Sequence, residues 1–162
     1  MTDWANWQPR VHANLLFIVR EKQVLLIRKK RGFGAGKING PGGKVDAGET
    51  PLGAALRETF EELGIKPLGA EQHGELHFQF RDGYSLYCTV FLAHAFDGEP
   101  RETDEAVPLW TAIDSIPYNE MWADDRHWLP LLIRGAHFTG YFEFDGELLL
   151  SRNVIVREKV DS

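Results

Sequence analysis

Apolar runs and polar breaks follow one another down the chain in strand-sized units. "NLLFIVR" (14–20) and "QVLLIRKK" (23–30), separated by Glu21 and Lys22, predict a strand pair. "ELHFQF" (75–80) and "YSLYCTVFLAHAF" (84–96) alternate well enough for two more strands, joined by a turn at Asp82–Gly83. A short strand is expected near "VPLWTAI" (107–113), and "YFEFDGELLLSRNVIV" (141–156) predicts a closing hairpin over Asp145–Gly146.

Between these units the period changes from two to three and four. Leu52, Ala55, Leu56, Thr59, Phe60 and Leu63 form a helical stripe expected to face the core. Thr50 is placed as its N-cap, Pro51 at its first position and Gly64 as its left-handed terminator. "DDRHWLPLLIRG" (124–135) predicts a second helix entered at the aspartate pair and limited or bent by Pro130. Strands that outnumber two interposed helices favour an α/β or α+β sandwich around a mixed sheet. With 162 residues and no repeat or linker, one domain is expected over residues 1–162, its first ten residues a loosely ordered extension.

The helix at 51–63 carries an oddity. Glu58, Glu61 and Glu62 lie three and four apart, where like charges repel, and two of them sit at the negative end of the macrodipole. Three carboxylates on one face form an all-oxygen site suited to Mg²⁺ or Mn²⁺. A solvated acidic face is the plain alternative. The glycine-rich segment before the helix decides between them. A phosphate-loop match ending at Lys37 needs glycine at Arg31 and Ser or Thr at Ile38, and a dinucleotide fingerprint from Gly32 or Gly34 meets Lys37 or Asn39 in place of its last glycine.

Composition narrows the rest. Apolar residues at 43% and charged residues at 26% describe a soluble globular chain, with neither a membrane-length apolar run nor a signal-peptide pattern. A lone Cys88, read as core, leaves no intrachain disulfide or cysteine zinc site, so reducing cytoplasm is the expected compartment. A net charge of −6 argues against a nucleic-acid backbone as partner, but not against a small phosphorylated ligand neutralised by metal ions.

The pattern that fits runs from Gly43 through Glu49 to Arg57-Glu58 and on to Glu61-Glu62-x-Gly64 with Ile65. It resembles the signature of the Nudix hydrolases. The resemblance implies a Nudix-type α/β/α sandwich and metal-dependent hydrolysis of a nucleoside diphosphate linked to another group. It assigns metal binding to Gly43, Glu58, Glu61, Glu62 and, in the acidic loop, Glu105. Glu62 is the first choice for general base, and Arg57 pairs with Glu49 to hold the loop on the helix. Thr59 stands where the family is usually aliphatic, so a packing cost with intact chemistry is expected.

"KKRGFGAGKINGPGGKVDAGET", "IPYNEMWADDRHWLPLLI" and "FTGYFEF" extend the likeness to the MutT-type branch. Its mammalian-type members destroy oxidised purine nucleoside triphosphates such as 8-oxo-dGTP. That carries base-recognition roles to Asn39, Trp122, Asp124 and Asp125, with Phe33 and Phe78 as apolar walls. Lys29, Lys44 and Asn14 are implied as further substrate contacts. Aromatic faces stack on a purine while amide and carboxyl groups read its polar edge. Residue by residue, plainer readings stand beside these: a turn at Asn39–Gly40, a helix cap at Asp124 or Asp125, core aromatics at Trp122 and Phe78, solvated surface at Glu105. Ile38, Pro41, Ala123 and Asn14 depart from the closest pattern around the pocket. The expected partner is a small-molecule nucleotide, the expected state a monomer. ADP-ribose or an undamaged triphosphate is the alternative substrate, and a non-catalytic nucleotide-binding module the alternative class.

Overall fold

The computed structural model describes residues 1–157; the last five residues of the expected domain, 158–162, lie outside the described residues. Strand β1 (Val11–Arg20) is the spine. It turns at Glu21 and Lys22, both with positive φ, into β2 (Gln23–Lys29), as a tight hairpin requires. Along its length β1 runs parallel to β7 (Ser85–Ala93), and it pairs antiparallel with β4 (Gly42–Lys44). β2 carries β3 (Ile38–Asn39) and β9 (Ala106–Ala112) as antiparallel partners. On the other side β6 (Glu71–Phe80) pairs antiparallel with β7 and parallel with β10 (His137–Asp145), and β11 (Leu148–Arg157) forms the edge. The sheet is mixed, as expected.

Side-chain alternation divides it between two cores. Leu16, Ile18, Leu25 and Ile27 face one side and pack with Ala55 and Leu63 of helix α1 (Pro51–Leu63). Phe17, Val24 and Leu26 face the other and join Trp128, Leu129 and Leu132 of helix α2 (Asp125–Ile133). Both helices stand where they were expected. The strand expected through Phe96 breaks at His94, whose Nδ1 lies 2.9 Å from the Val19 carbonyl. Beyond it β8 (Ala95–Asp97) pairs with β5 (Lys66–Leu68) as a separate ribbon.

The caps of α1 are those expected: the Thr50 side chain accepts from the Gly53 N–H, and Gly64 is left-handed at φ 74°. Its buried face is not the expected one. Leu52 is 37% exposed and Phe60 57%, whereas Ala54 and Glu62 are buried beside Ala55, Thr59 and Leu63 of the expected stripe. The helix approaches the sheet through small alanines, so its buried sector is rotated toward the carboxylates. Thr59 tolerates this because its hydroxyl donates to the Ala55 carbonyl at 2.8 Å.

Residues 1–10, read from the sequence as a loose extension, contain a 3-10 turn at Trp4–Asn6. Trp7 Nε1 donates to Gln79 Oε1 at 2.9 Å, and the Trp4 ring meets Tyr141 edge-on at 5.2 Å. They cover the part of the sheet around His77.

Thr59→Val removes a hydroxyl whose only partner already accepts within the helix. Its unfolding free energy in urea should differ from the parent by less than about 1.5 kcal/mol, with turnover within a few-fold. A large loss of turnover at unchanged stability would place Thr59 in the site.

Candidate active site

A cleft of about 890 Å³ opens along β1 between the two cores. One end is carboxylate-rich and the other aromatic.

The carboxylate end is organised by Arg57. Its guanidinium grips Glu49 at two 2.8 Å contacts, donates to Glu58 at 2.9 Å and to the Lys44 carbonyl at 3.2 Å, and reaches Glu61 at 3.3 Å. The loop over residues 44–49 is thereby fastened to α1. Hydrogen bonds from Arg57 and from the Asp46 N–H hold the Glu49 carboxyl at about 2. Glu62 is 3% exposed and accepts from the Gly42 N–H at 2.8 Å. Burial, reinforced by the charge of Glu58, pushes its carboxyl up to about 8. Burial likewise raises Glu58 against the pull of Arg57.

Glu58, Glu62 and Glu105 all line the cleft, with Gly43, Lys44, Lys29 and Arg31. Glu105 is ion-paired with Arg31, whose hydrogen bond lowers its carboxyl. Glu61 stands apart: its side chain is 52% exposed, lies outside the cleft and meets only the edge of Arg57. The convergence of three helix carboxylates expected from the sequence is therefore not formed. Among the described residues no three His, Cys, Asp or Glu side chains gather closely enough to hold an ion. Like charges separate toward the nearest donors, Glu58 to Arg57, Glu62 to a backbone N–H and Glu105 to Arg31.

The residues nevertheless suit a hard divalent cation. The donors are oxygens, and two carboxyls are raised for want of positive charge. Gly43 completes the cradle: a Cβ there would lie 2.5 Å from the Glu58 carboxyl carbon.

At the aromatic end Trp122 stacks on Phe33 at 5.1 Å and 10°, with Lys37 Nζ over its ring at 5.2 Å. Phe33 is held from behind, its carbonyl accepting from Lys29 Nζ at 2.7 Å. Phe78 is a buried wall, and Asn39 lines the same cavity. Asn14, fully buried on the floor, has no hydrogen-bond partner at either end of its amide. Such a group carries a desolvation cost of about 1–3 kcal/mol until a ligand meets it.

Asp124 and Asp125 close the cleft, both buried. Asp124 does not cap α2; its Oδ2 instead accepts from Trp128 Nε1 at 2.7 Å. Burial raises both carboxyls, Asp124 to about 6 and Asp125 well above the usual range, where the charge of Asp124 adds to it. The Trp128 donor favours the ionised form of Asp124, so Asp125 keeps the proton. Sequence reasoning missed Tyr84, Phe80, Phe144 and Arg31 in this cavity, and Trp128 in the core behind Asp124. The four-residue spacing of Asp124 and Trp128 along a helix and the two-residue spacing of Phe78 and Phe80 along a strand were the available signals.

The NUDIX domain family matches residues 8–132. The chain is 45% identical over 148 residues to the oxidized purine nucleoside triphosphate hydrolase of Danio rerio, covering 91% of this chain and 92% of that protein. To the hydrolase of the same name from Mus musculus it is 39% identical over 150 residues, covering 91% and 94%. The crystal structure of a MutT protein from Bacillus halodurans superposes with a TM-score of 0.80 at 27% identity, covering 89% of this chain and 97% of that one. No helix among the described residues is long and apolar enough to cross a membrane.

The aspartate pair has a thermodynamic signature. The folded protein keeps protons that the unfolded chain, with ordinary carboxyls, releases, so unfolding stability falls as pH rises from the ordinary range toward about 6 and beyond. Asp124→Asn and Asp125→Asn should each flatten that fall between about pH 4 and about pH 7, measured as the change in urea midpoint. An unaltered pH slope in both variants would mean that the pair holds no extra proton.

Proposed function

The chain belongs to the Nudix family, an enzyme family of hydrolases, and from that premise we propose that it hydrolyses oxidised purine nucleoside triphosphates such as 8-oxo-dGTP to the monophosphate and pyrophosphate. The observation that carries this reading is the buried Asp124–Asp125 pair beside Trp122. One carboxyl donates and its neighbour accepts, so the pair reads a base edge that offers one of each. Moving the proton between them lets one pocket read both 8-oxoguanine and 2-hydroxyadenine. Trp122 and Phe33 supply the stacking faces, Phe78 the apolar wall and Asn39 a further amide. Asn14 gives its unpaired amide to the nucleoside, and Lys29 and Lys44 face the phosphates.

Nudix hydrolases work with a divalent metal. Here we assign Mg²⁺, with Mn²⁺ as substitute, to Glu58, Glu62, Glu105 and the Gly43 carbonyl, with Glu61 joining them only by turning in from the rim. When bound, such an ion offsets phosphoryl charge and lowers the pKa of a coordinated water. Glu62 is the general base: its carboxyl lines the cleft beside Glu58, and a bound cation would offset the burial that otherwise keeps it protonated near neutral pH. Arg57 acts by position, holding Glu58 and the 44–49 loop. The protein works as a monomeric single domain in the cytoplasm, on free nucleotides rather than on nucleic acid or membrane, and removes damaged precursors before they enter DNA.

With Mg²⁺ present, kcat/KM should be highest for 8-oxo-dGTP or 2-hydroxy-dATP, above dGTP and ADP-ribose. A panel led by ADP-ribose or dGTP would replace this substrate with the one that leads. Asp124→Asn and Asp125→Asn should lose the two oxidised substrates unequally, and Asn39→Ala should weaken oxidised guanine most. Glu62→Gln should lower turnover by at least about 100-fold while the protein still folds. If Glu105→Gln is the more damaging of the two, the base has been assigned to the wrong residue.

A further inference from the structure

We propose that Thr103 is a positioning residue that sets Glu105 against the carboxylate helix; the inference rests on the role given above to Glu105. Helix α1 ends at Gly64, and the carbonyls of its last turn need partners from elsewhere. The loop between β8 and β9 provides them. The Arg101 N–H donates to the Leu63 carbonyl at 3.0 Å, and Thr103 Oγ1 donates to the Glu62 carbonyl at 2.7 Å. The same hydroxyl accepts from the Glu105 N–H at 3.2 Å. One oxygen atom therefore joins the main chains of two residues whose carboxylates face the same end of the cleft.

Around this joint the loop is held by backbone bonds and by an ion pair from Lys30 to Glu102. The Thr103 N–H donates to the Ala106 carbonyl and the Lys30 N–H to the Glu105 carbonyl, each at 3.0 Å. The Glu105 side chain is 40% exposed and paired only with a still more exposed Arg31. No core packing fixes it, so its place relative to Glu62 is inherited from the main chain. A hydroxyl can donate and accept at one atom, which neither an amine nor an apolar group of this size can do. Thr103→Val keeps the shape and deletes both bonds, whereas Thr103→Ser keeps both.

The test compares Thr103→Val and Thr103→Ser with the parent in three measurements: Mn²⁺ titration without nucleotide by electron paramagnetic resonance, kcat and KM with Mg²⁺, and urea unfolding. For Thr103→Val, kcat should fall about tenfold with KM within about twofold, because a displaced group costs the reaction more than it costs binding. Mn²⁺ affinity should fall several-fold, and Thr103→Ser should restore both. On a Glu105→Gln background Thr103→Val should add nothing, since both changes act through one carboxylate. The proposal is overturned if Thr103→Val keeps parental kcat and Mn²⁺ affinity, if Thr103→Ser is as poor as Thr103→Val, or if the two losses add. Should Thr103→Val fail to fold, Thr103→Ala against Thr103→Ser gives the same comparison. A parent that hydrolysed none of the nucleotides would sink the substrate reading, while the Mn²⁺ comparison would still decide the joint.

Discussion

Arg57 faces four carboxylates, Asp46, Glu49, Glu58 and Glu61, and a carbonyl from one partly buried position, and the carboxylate end of the cleft hangs on that arrangement. Two parallel contacts to Glu49 make the pair directional as well as attractive, which a lysine would not achieve. Through Glu49 the guanidinium fastens the loop that follows β4. Through Glu58 it balances a carboxylate that the nearby sheet is desolvating. Take it away and the loop loses its anchor while Glu58, Glu61 and Glu62 keep their mutual repulsion. Breaking such a pair from one side is worse than never having built it, because a partly buried charge is left alone. The helix thus tolerates acidic residues at its negative end because a cation from its own second turn lies among them.

Seen along its length, the cleft solves one electrostatic problem twice. Each end buries neighbouring carboxyls that burial alone would drive neutral. At the aromatic end the remedy is a proton: Asp125 keeps it, and Asp124 is steadied by the Trp128 indole. At the other end a proton on Glu62 would silence it as a ligand and base, and the backbone N–H of Gly42 compensates only in part. Glu62 is therefore balanced between protonation and the arrival of positive charge, and Gly43 leaves the space such a charge would need. The two ends differ in which cation they take because they differ in shape. One is walled by indole and phenyl rings, the other by backbone and flexible charged side chains.

Much of this was readable from local sequence. The caps of α1, the turn at Glu21–Lys22 and the alternation of the strands are short-range features, and they appear where expected. The glutamate spacing is likewise local. What failed to transfer was tertiary. The stripe of α1 was assigned by residue type, but the sheet received the helix through Ala54 and Ala55, which left Leu52 and Phe60 outside and drew Glu62 in beside the expected Thr59. Glu61, one residue from Glu62, ended on the rim for the same reason. Trp128 carried no reading of its own; its indole N–H is taken by an aspartate one turn earlier, a pairing that matters only once that aspartate is buried. Thr103, in a loop dense with acidic residues, gave no local signal, since its partner Glu62 lies 41 positions away.

The charge of the molecule constrains how its proposed ligand arrives. The chain carries −6 overall, and a triphosphate adds to the repulsion. Near the carboxylate end there are basic side chains, but Arg57 is engaged with Glu49 and Glu58, and Arg31 with Glu105. Lys29 is turned to the Phe33 carbonyl. Lys44 also lines the cleft, so attraction for a polyanion has to come from this side chain together with ions that are not part of the chain. A site of this kind discriminates by charge before it discriminates by shape. A nucleotide that comes with divalent ions brings with it the charge that offsets this repulsion. On the proposed reading, selection of the base then falls to the far end of the cleft, where burial holds a proton on the aspartate pair.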